Sequence, residues 1–562
     1  MNSRPGLSFA AALCLSWGCQ STVTGSGLIC GEGTHEDDGE CVPSSNDTAG
    51  TDTADTGESP PDPTDADGDG FSEAEGDCDD SDADIHPNGT DGLIADRDCD
   101  GVAAEGTLDL AEYTFIGESP DDYAGYWVST AGDVDGDGLD DVLVGAYDDD
   151  DMGPSAGAGY LILGSSLDPH GSFDLSEADY KIVGEDAGDF AGFVVETAGD
   201  LDGDSLADIL VGAYGVGDRG PITGAVYVIL GSSIGAPGTI YLSDADYKIV
   251  GESEQDFAGY ALSSAGDVDG DGLDDILVGA SGQDAGGNFA GAAYVILASS
   301  LAEGAPTDLS QADYKFIGET KLDWAGYSVS GAGDVDGDGL ADLLIGADGD
   351  DGGWMAHASY LILGSSLRSN STMDLSEADY KFIGEDSYDY ASQVSTAGDV
   401  DGDGLDDIVV GAAGYDHGGN DAGAAYVILA SSLGARGTID ISTADYVLFG
   451  ERSGDLAGST VANAGDVDGD GLSDILVGAL RHDSAYDLQG AAYVVLGRSL
   501  SKSREMDLAN ADYKLAGGSP DQYVGHSVSS AGDVDGDGLD DVVVGSYHGP
   551  NWSGAAYIVT TR

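Results

Sequence analysis

Residues 132–146 read GDVDGDGLDDVLVGA, and close versions of this stretch return six more times along the chain. The aspartate that opens the acidic run falls at Asp133, Asp200, Asp267, Asp334, Asp399, Asp466 and Asp533, at intervals of 67, 67, 67, 65, 67 and 67 residues. So regular a period means an array of one supersecondary unit, and it decides the fold before any local reading does.

Inside each copy the acids keep the pattern D-x-D-x-D-G-x-x-D. The first copy has Asp133, Asp135, Asp137 and Asp141, with Leu139 at the seventh position, where a backbone carbonyl would serve as a ligand. The second has Asp200, Asp202, Asp204, Leu206 and Asp208, and the third Asp267, Asp269, Asp271, Leu273 and Asp275. The fourth has Asp334, Asp336, Asp338, Leu340 and Asp342, and the fifth Asp399, Asp401, Asp403, Leu405 and Asp407. The last two have Asp466, Asp468, Asp470, Leu472 and Asp474, then Asp533, Asp535, Asp537, Leu539 and Asp541. Carboxylates crowded on a Gly-hinged turn suit a hard cation such as Ca²⁺, which takes six to eight oxygens at about 2.3–2.6 Å. Without a cation they repel, by about 4 kcal/mol for two charges ~4 Å apart at an effective dielectric near 20. The start of the loop resembles an EF-hand. Its twelfth position, where a bidentate Glu belongs, is instead Val144, Val211, Val278, Ile345, Val410, Val477 or Val544. The loop therefore runs into a β-rich segment, and the reading is a calcium loop in a β-hairpin.

The composition agrees with an ion-binding chain. Among 562 residues, 107 are Asp or Glu and only 17 are Lys or Arg, for a formal charge of −90. Nucleic acid and anionic membranes would repel it, so neither is an expected partner.

Residues 1–19 read as an export signal. Arg4 supplies the positive end, and the apolar core Leu7 to Trp17 is far short of the roughly 20 residues that span a bilayer. Ser16-Trp17-Gly18-Cys19 resembles a bacterial lipoprotein cleavage box, with Cys19 the lipidated residue. This predicts a lipoprotein at the outer membrane or cell surface, held only by its lipid; a freely secreted protein is the alternative. In 20–43, and again further on, cysteines stand at Cys30, Cys41, Cys78 and Cys99, an even number that favours two disulfides in an exported chain. Proximity suggests Cys30–Cys41 and Cys78–Cys99, with the other pairings open. Residues 44–64, rich in Thr, Asp, Ser and Pro, read as a flexible linker. Residues 65–106 place Asp65, Asp67, Asp69 and Glu73 at calcium-loop spacing. That segment resembles the short Asp/Cys-rich metal-binding repeat of bacterial surface proteins, through Asp77 to Asp80, Pro87 and Asp98 to Gly101. The resemblance implies cation binding and leaves the metal open.

From 107 to 562 each unit offers four β-prone pieces. YWVSTAG leads into the first acidic loop and DDVLVGA leads out; GAGYLILGSS and DLSEADYKIVGE follow. Short apolar runs bounded by Gly and Asp, with no helical period, are strand signals. Seven four-stranded units predict an all-β fold, a seven-bladed β-propeller. The array begins with a fourth-type piece (EYTFIGE, 112–118) and ends after a third-type piece (GAAYIVTTR, 554–562), so the first piece is expected to complete the last blade.

The lead-in Phe257-Ala258-Gly259, the GDVDGDG loop, the VGA exit and the GAAYV strand together resemble the FG-GAP repeats of the integrin α-subunit N-terminal propeller. The resemblance covers about 456 residues and recurs in order. It implies calcium on the loops of one face, about seven ions in all, and adhesion or ligand binding at the cell surface by a monomeric propeller. Ser205 departs from the loop Gly, Ser392 from the lead-in Gly, and Leu456 from the lead-in aromatic. The inserted von Willebrand-type domain, leg domains and transmembrane helix of integrins are not legible, so neither their signalling nor their ligands transfer.

No catalytic residues can be assigned. Gly231-Ser232-Ser233-Ile234-Gly235 fits the G-x-S-x-G elbow of hydrolases, yet the same slot recurs as GSSLD, ASSLA, GSSLR and ASSLG. It is a repeat turn rather than a nucleophile. The expected function is an exported, calcium-binding recognition module for a surface or matrix protein or a glycan. A structural or ion-sequestering surface protein, and a hydrolase using the propeller's central cleft, are the alternatives.

Overall fold

A computed structural model describes residues 34–37, 40–43, 107–108 and 111–561, apart from 168–170, 305, 350–356, 368–370, 386–387, 484–487 and 550–551. The chain divides into two compact units, Met1–Pro61 and Asp62–Arg562. In the first, Thr34–Asp37 pairs antiparallel with Glu40–Pro43. The export signal, Cys19, Cys30, Cys78 and Cys99, the linker, and Asp65, Asp67, Asp69 and Glu73 lie outside the described residues, as does the side chain of Cys41.

The second unit is a seven-bladed propeller. In blade 1 the strands Trp127–Gly132, Asp141–Ala146, Ala158–Ile162 and Tyr180–Val183 lie side by side, antiparallel, from the centre outward. Blades 2 to 7 repeat this, their innermost strands ending at Gly199, Gly266, Gly333, Gly398, Gly465 and Gly532. Blade 7 takes its fourth strand from the start of the array: Tyr113–Ile116 pairs with Ala555–Val559, Tyr113 opposite Ile558. The expected ring closure is present.

The burial explains why the second and third strands read as unbroken apolar runs. Every residue of Asp141–Ala146 and Ala158–Ile162 is buried, because a blade is covered on both faces by its neighbours. Seven apolar clusters result, each shared by two adjacent blades. One joins Tyr113, Phe115 and Ile558 of blade 7 to Val142, Val144 and Tyr160 of blade 1. The Gly of the recurrent VGA has a steric cause: a Cβ at Gly145 would lie 2.2 Å from the Gly192 carbonyl oxygen of the next blade.

Two fastenings between blades were not expected. The segment before each fourth strand reaches back to the preceding blade and pairs parallel with its outer edge. Gly238–Tyr241 pairs with Tyr180–Val183, and the same addition occurs on blades 3, 4, 5 and 7. Blades 2 and 6 receive single parallel bridges, Val250 to Asp308 and Thr107 to Ala516. The second fastening is electrostatic. In five blades a fourth-strand lysine lies 5.2–5.5 Å from the ring centre of the facing tyrosine. These lysines, Lys181, Lys248, Lys315, Lys381 and Lys514, pair with Glu118, Glu185, Glu252, Glu319 and Glu451 just beyond the preceding blade's outermost β-strand.

Candidate metal loops and the opposite aromatic face

Each acidic run connects the innermost strand of a blade to the second strand, so all seven loops lie on one face. Their local fold is built by aspartates accepting from the loop's own backbone. Asp133 Oδ1 accepts the N–H groups of Gly136 (2.6 Å) and Asp137 (3.1 Å), and its Oδ2 accepts that of Gly138 (3.0 Å). Asp135 Oδ1 accepts from Asp137 N–H at 3.2 Å, and Asp137 Oδ1 from Leu139 N–H at 3.0 Å. The last acid anchors the loop: buried Asp141 accepts from Val134 N–H at 3.0 Å and from Gly164 N–H, after the third strand, at 2.9 Å. Asp208, Asp275, Asp342, Asp407, Asp474 and Asp541 make the corresponding pairs of bonds.

The fold brings the sequence-predicted acids together. One carboxylate oxygen from each of Asp133, Asp135 and Asp141 lies within 4.8 Å of the others, and so do those of Asp200, Asp202 and Asp204. The same holds for Asp267, Asp269 and Asp271, for Asp334, Asp336 and Asp342, and for Asp399, Asp401 and Asp407. Burial pushes the Asp141 carboxyl up to about 7, with repulsion from Asp135 and Asp133 adding to it against the two backbone bonds. Asp541 is pushed up to about 8, again chiefly by burial. A donor set made only of hard oxygens, in which the carboxylates resist ionising together, fits a Ca²⁺-like cation. Leu139, predicted for its carbonyl, also has a packing role: a Cβ on Gly536 of the neighbouring loop would lie 2.9 Å from its Cδ2.

Two loops differ. Ser205 sits at φ +71°, in the left-handed region that its glycine counterparts occupy, and a non-glycine residue there costs on the order of 1 kcal/mol. In the sixth loop the Arg498 guanidinium pairs with Asp468 and stands 3.8 Å from Asp470. An internal cation already occupies part of that cluster. At the fifth lead-in, Ser392 is absent from the left-handed residues, and its hydroxyl donates to Asp348 Oδ1 at 3.1 Å.

A ring of links around this face escaped the sequence reading. In all seven copies the residue before the last acid donates its N–H to the carbonyl of the opening aspartate of the preceding loop, as Asp140 does to Asp533 at 3.1 Å and Ala207 to Asp133 at 2.9 Å. Where that residue is an aspartate, its carboxylate returns the contact, Asp274 Oδ2 accepting from Asp200 N–H at 2.9 Å.

The other face has no such symmetry. His526, Tyr126, Phe193, Tyr260 and Tyr327 open the innermost strands of blades 7, 1, 2, 3 and 4, and successive rings are 4.4, 5.0, 4.9 and 5.4 Å apart. Blades 5 and 6 carry no ring there: blade 5 is one residue shorter and passes from Ser392 straight to Gln393, and blade 6 has Ser459. A cavity of about 340 Å³ opens among Tyr126, Phe193, Tyr214, Tyr260, Trp324 and Tyr327. Burial lowers His526 to about 4, and its Nδ1 bonds the Tyr126 carbonyl at 3.0 Å, so it is neutral at pH 7. Deeper in the central channel, Glu196 accepts from Trp127 Nε1 at 2.9 Å and from Ser129 Oγ at 2.6 Å. Aligning the seven repeats would have exposed these rings and Glu196; reading each lead-in for its Ala-Gly alone did not. The G-x-S-x-G slot is a short 3₁₀ turn, with Ser233 Oγ bonded to Asp246 at 2.8 Å, and Gly164–Ser166 and Gly364–Ser366 repeat it.

The model of the FG-GAP repeat matches residues 194–229, 258–296, 325–361, 390–428 and 524–559. Integrin alpha pat-2 of Caenorhabditis briggsae is 30% identical over 249 residues, 40% of this chain and 18% of that protein. Integrin alpha-4 of Xenopus laevis is 30% identical over 31% of this chain and 15% of its own length. Phosphatidylinositol-glycan-specific phospholipase D of Bos taurus is 31% identical over 36% of this chain and 24% of its own. The match thus spans less than a quarter of each of these relatives. Matched repeats, a seven-bladed ring and integrin α-subunits as relatives agree: the chain carries an integrin-α-like β-propeller built from FG-GAP repeats.

Proposed function

We propose that this chain is an exported, calcium-stabilised propeller that recognises a protein or glycan ligand at a cell surface or in the matrix. The observation that carries the reading is the contrast between the two faces. The acidic loops repeat in every blade, as parts that hold a fold together do. The aromatic rings occupy blades 7, 1, 2, 3 and 4 and spare blades 5 and 6, as a surface shaped for one ligand does. Tyrosine and tryptophan supply large contact area at low entropic cost, which suits them to recognition. The integrin α relatives support a ligand-binding role, and the acid clusters support Ca²⁺ as the resident ion, held by the carboxylates of each loop. Calcium there would neutralise crowded carboxylates and fix the loops that tie blade to blade. Export and a lipid on Cys19 rest on the N-terminal sequence.

The test is binding of the purified chain to a glycan and surface-protein array, in calcium and then in chelator. Calcium-dependent hits that weaken on Tyr260→Ala support the reading. A blank array from a chain shown to be folded and calcium-loaded overturns it.

A further inference from the structure

The innermost strands leave the axis of the ring hollow. On the side of the acidic loops a cavity of about 490 Å³ opens at Gly132, Gly465 and Gly532 and reaches Trp127. On the aromatic side a second cavity, of about 130 Å³, lies among Tyr126, Tyr260 and His526. Trp127, Leu262, Ser328, Val329, Gln393 and Thr460 line both, so the two adjoin at that level of the innermost strands. A cavity of a few hundred Å³ with a small number of placed polar groups has the form of a small-ligand site.

The wall changes character around the axis. Where the two cavities adjoin, blades 1 and 3 present Trp127 and Ala261, while blades 4, 5 and 6 present Ser328, Gln393 and Thr460 at the same register. Two residues further along the strands come Glu196, Ser263, Ser330, Ser395 and Ser529, a ring of hydroxyls broken by one carboxylate. Several of these groups already hold one partner. Glu196 accepts from Trp127 and Ser129, Ser263 and Ser330 each donate to a backbone carbonyl at 2.7 Å, and Ser328 Oγ accepts from Val394 N–H at 3.2 Å. A hydroxyl or carboxylate so engaged keeps lone pairs with which to accept again. The side chains of Gln393, Ser395 and Thr460 have no hydrogen-bond partner among the described residues.

Charge narrows the ligand. Neither cavity is lined by a lysine or an arginine, and the carboxylates present are Glu196 and, at the mouth, Asp140 and Asp540. Those two accept the backbone N–H groups of Asp533 and Asp466 at 3.0 and 2.8 Å. An anionic ligand is repelled there. A bare divalent cation finds one carboxylate inside the channel, against the three or more of an acidic loop. A neutral pyranose matches the wall on both sides: its C–H face packs on the indole, whose one polar atom is bonded to Glu196, and its hydroxyls both donate and accept. We propose that the axial channel is a sugar site, which seats a neutral terminal hexose or N-acetylhexosamine between Trp127 and the wall of Gln393 and Thr460, with its hydroxyls bonded to Glu196 and the serine ring. The proposal rests on the recognition reading and narrows its ligand to a neutral glycan held end-on.

The full, calcium-saturated chain is titrated calorimetrically with the methyl glycosides of glucose, galactose, mannose and N-acetylglucosamine, and with glucuronic acid as the anionic control. One site per chain is expected for at least one neutral sugar, with a change in tryptophan fluorescence that Trp127→Phe removes. Gln393→Ala is expected to weaken binding by about three- to tenfold, as loss of one hydrogen bond does. Ser395→Leu, which fills the channel, is expected to abolish it. Glucuronic acid is expected to bind more weakly than glucose. No neutral sugar bound by the folded chain, glucuronic acid bound as tightly as glucose, or an affinity unchanged in Ser395→Leu overturns the proposal; should that variant not fold, an unchanged affinity in Gln393→Ala does so. Array hits on proteins that weaken on Tyr260→Ala, with no sugar bound, sink this proposal and leave the recognition reading standing. Hits on neutral glycans that Ser395→Leu erases support both.

Discussion

Glu196 is the one carboxylate at its position on the seven innermost strands, where the other copies carry Ser or Ala. It faces the channel and is partly open to it, yet lies deep in the ring. Burial pushes it from 4.5 up to about 7, against the bonds from Ser129 and Trp127. A carboxyl whose pKa rises on folding holds its proton more tightly in the native state. Its contribution to stability is therefore fully present below about pH 4.5 and is lost as pH rises through about 7. Glu196→Gln should match the parent at pH 4 and be more stable at pH 8 by about 1–3 kcal/mol, discounted for channel water, in calcium-saturated urea melts. Arg498 offers a second residue-scale prediction. Its guanidinium pairs with Asp468 inside the sixth acid cluster and competes with any ion there. Arg498→Gln should tighten one calcium site by about 1 kcal/mol, read as a stronger class in a calcium titration, and leave the others unchanged.

Among the elements, the closing strand Tyr113–Ile116 concentrates the most consequence in the fewest residues. Phe115 is buried between blades 7 and 1 and stacks on Phe173 at 5.6 Å. Phe115→Ala should cost about 3–5 kcal/mol in a reversible denaturant melt, since it opens a cavity at the seam of the ring. This strand was legible in the sequence because EYTFIGE repeats the YKFIGE pieces elsewhere and the chain ends one piece short. The added parallel strands were not. GTIY at 238–241 is mostly exposed and four residues long, so neither a hydrophobic period nor a turn signal marks it. The acid clusters were legible since their spacing alone brings the carboxylates together. The ring of links between loops was hidden because it runs through backbone groups, which carry no sequence signature. The aromatic face lies between these cases: its rings come from different blades, and their alignment needs the strand register that the structure supplies.

For the molecule as a whole, the net charge of −90 and the seven acid loops mean that the proposed cation, once bound, would be a term in folding itself. Each site held at a hundredfold excess over its dissociation constant adds about 2.7 kcal/mol, and independent sites sum. Chelation should lower the melting temperature steeply in a calorimetric scan; an unchanged melt would remove calcium from the account of this fold. Asp267→Ala should reduce the stoichiometry of a calcium titration by one ion and leave six. The graded outcome matters, because loops joined through Asp274 to Asp200 and Ala341 to Asp267 could transmit the loss of one ion to its neighbours.

The parallel strand that five blades receive from the next repeat has a further bearing on how copies of this chain meet. An open sheet edge is a template for pairing with another chain, and proteins that leave one uncovered risk growing into fibres. Here the fourth strand is paired from within the ring by a short strand in five blades and touched by a single bridge in two. The rim is thus left with edge strands of only three or four residues, which blunts pairing with another chain. Assembly through the two broad faces is thereby favoured over assembly by strand pairing at the rim.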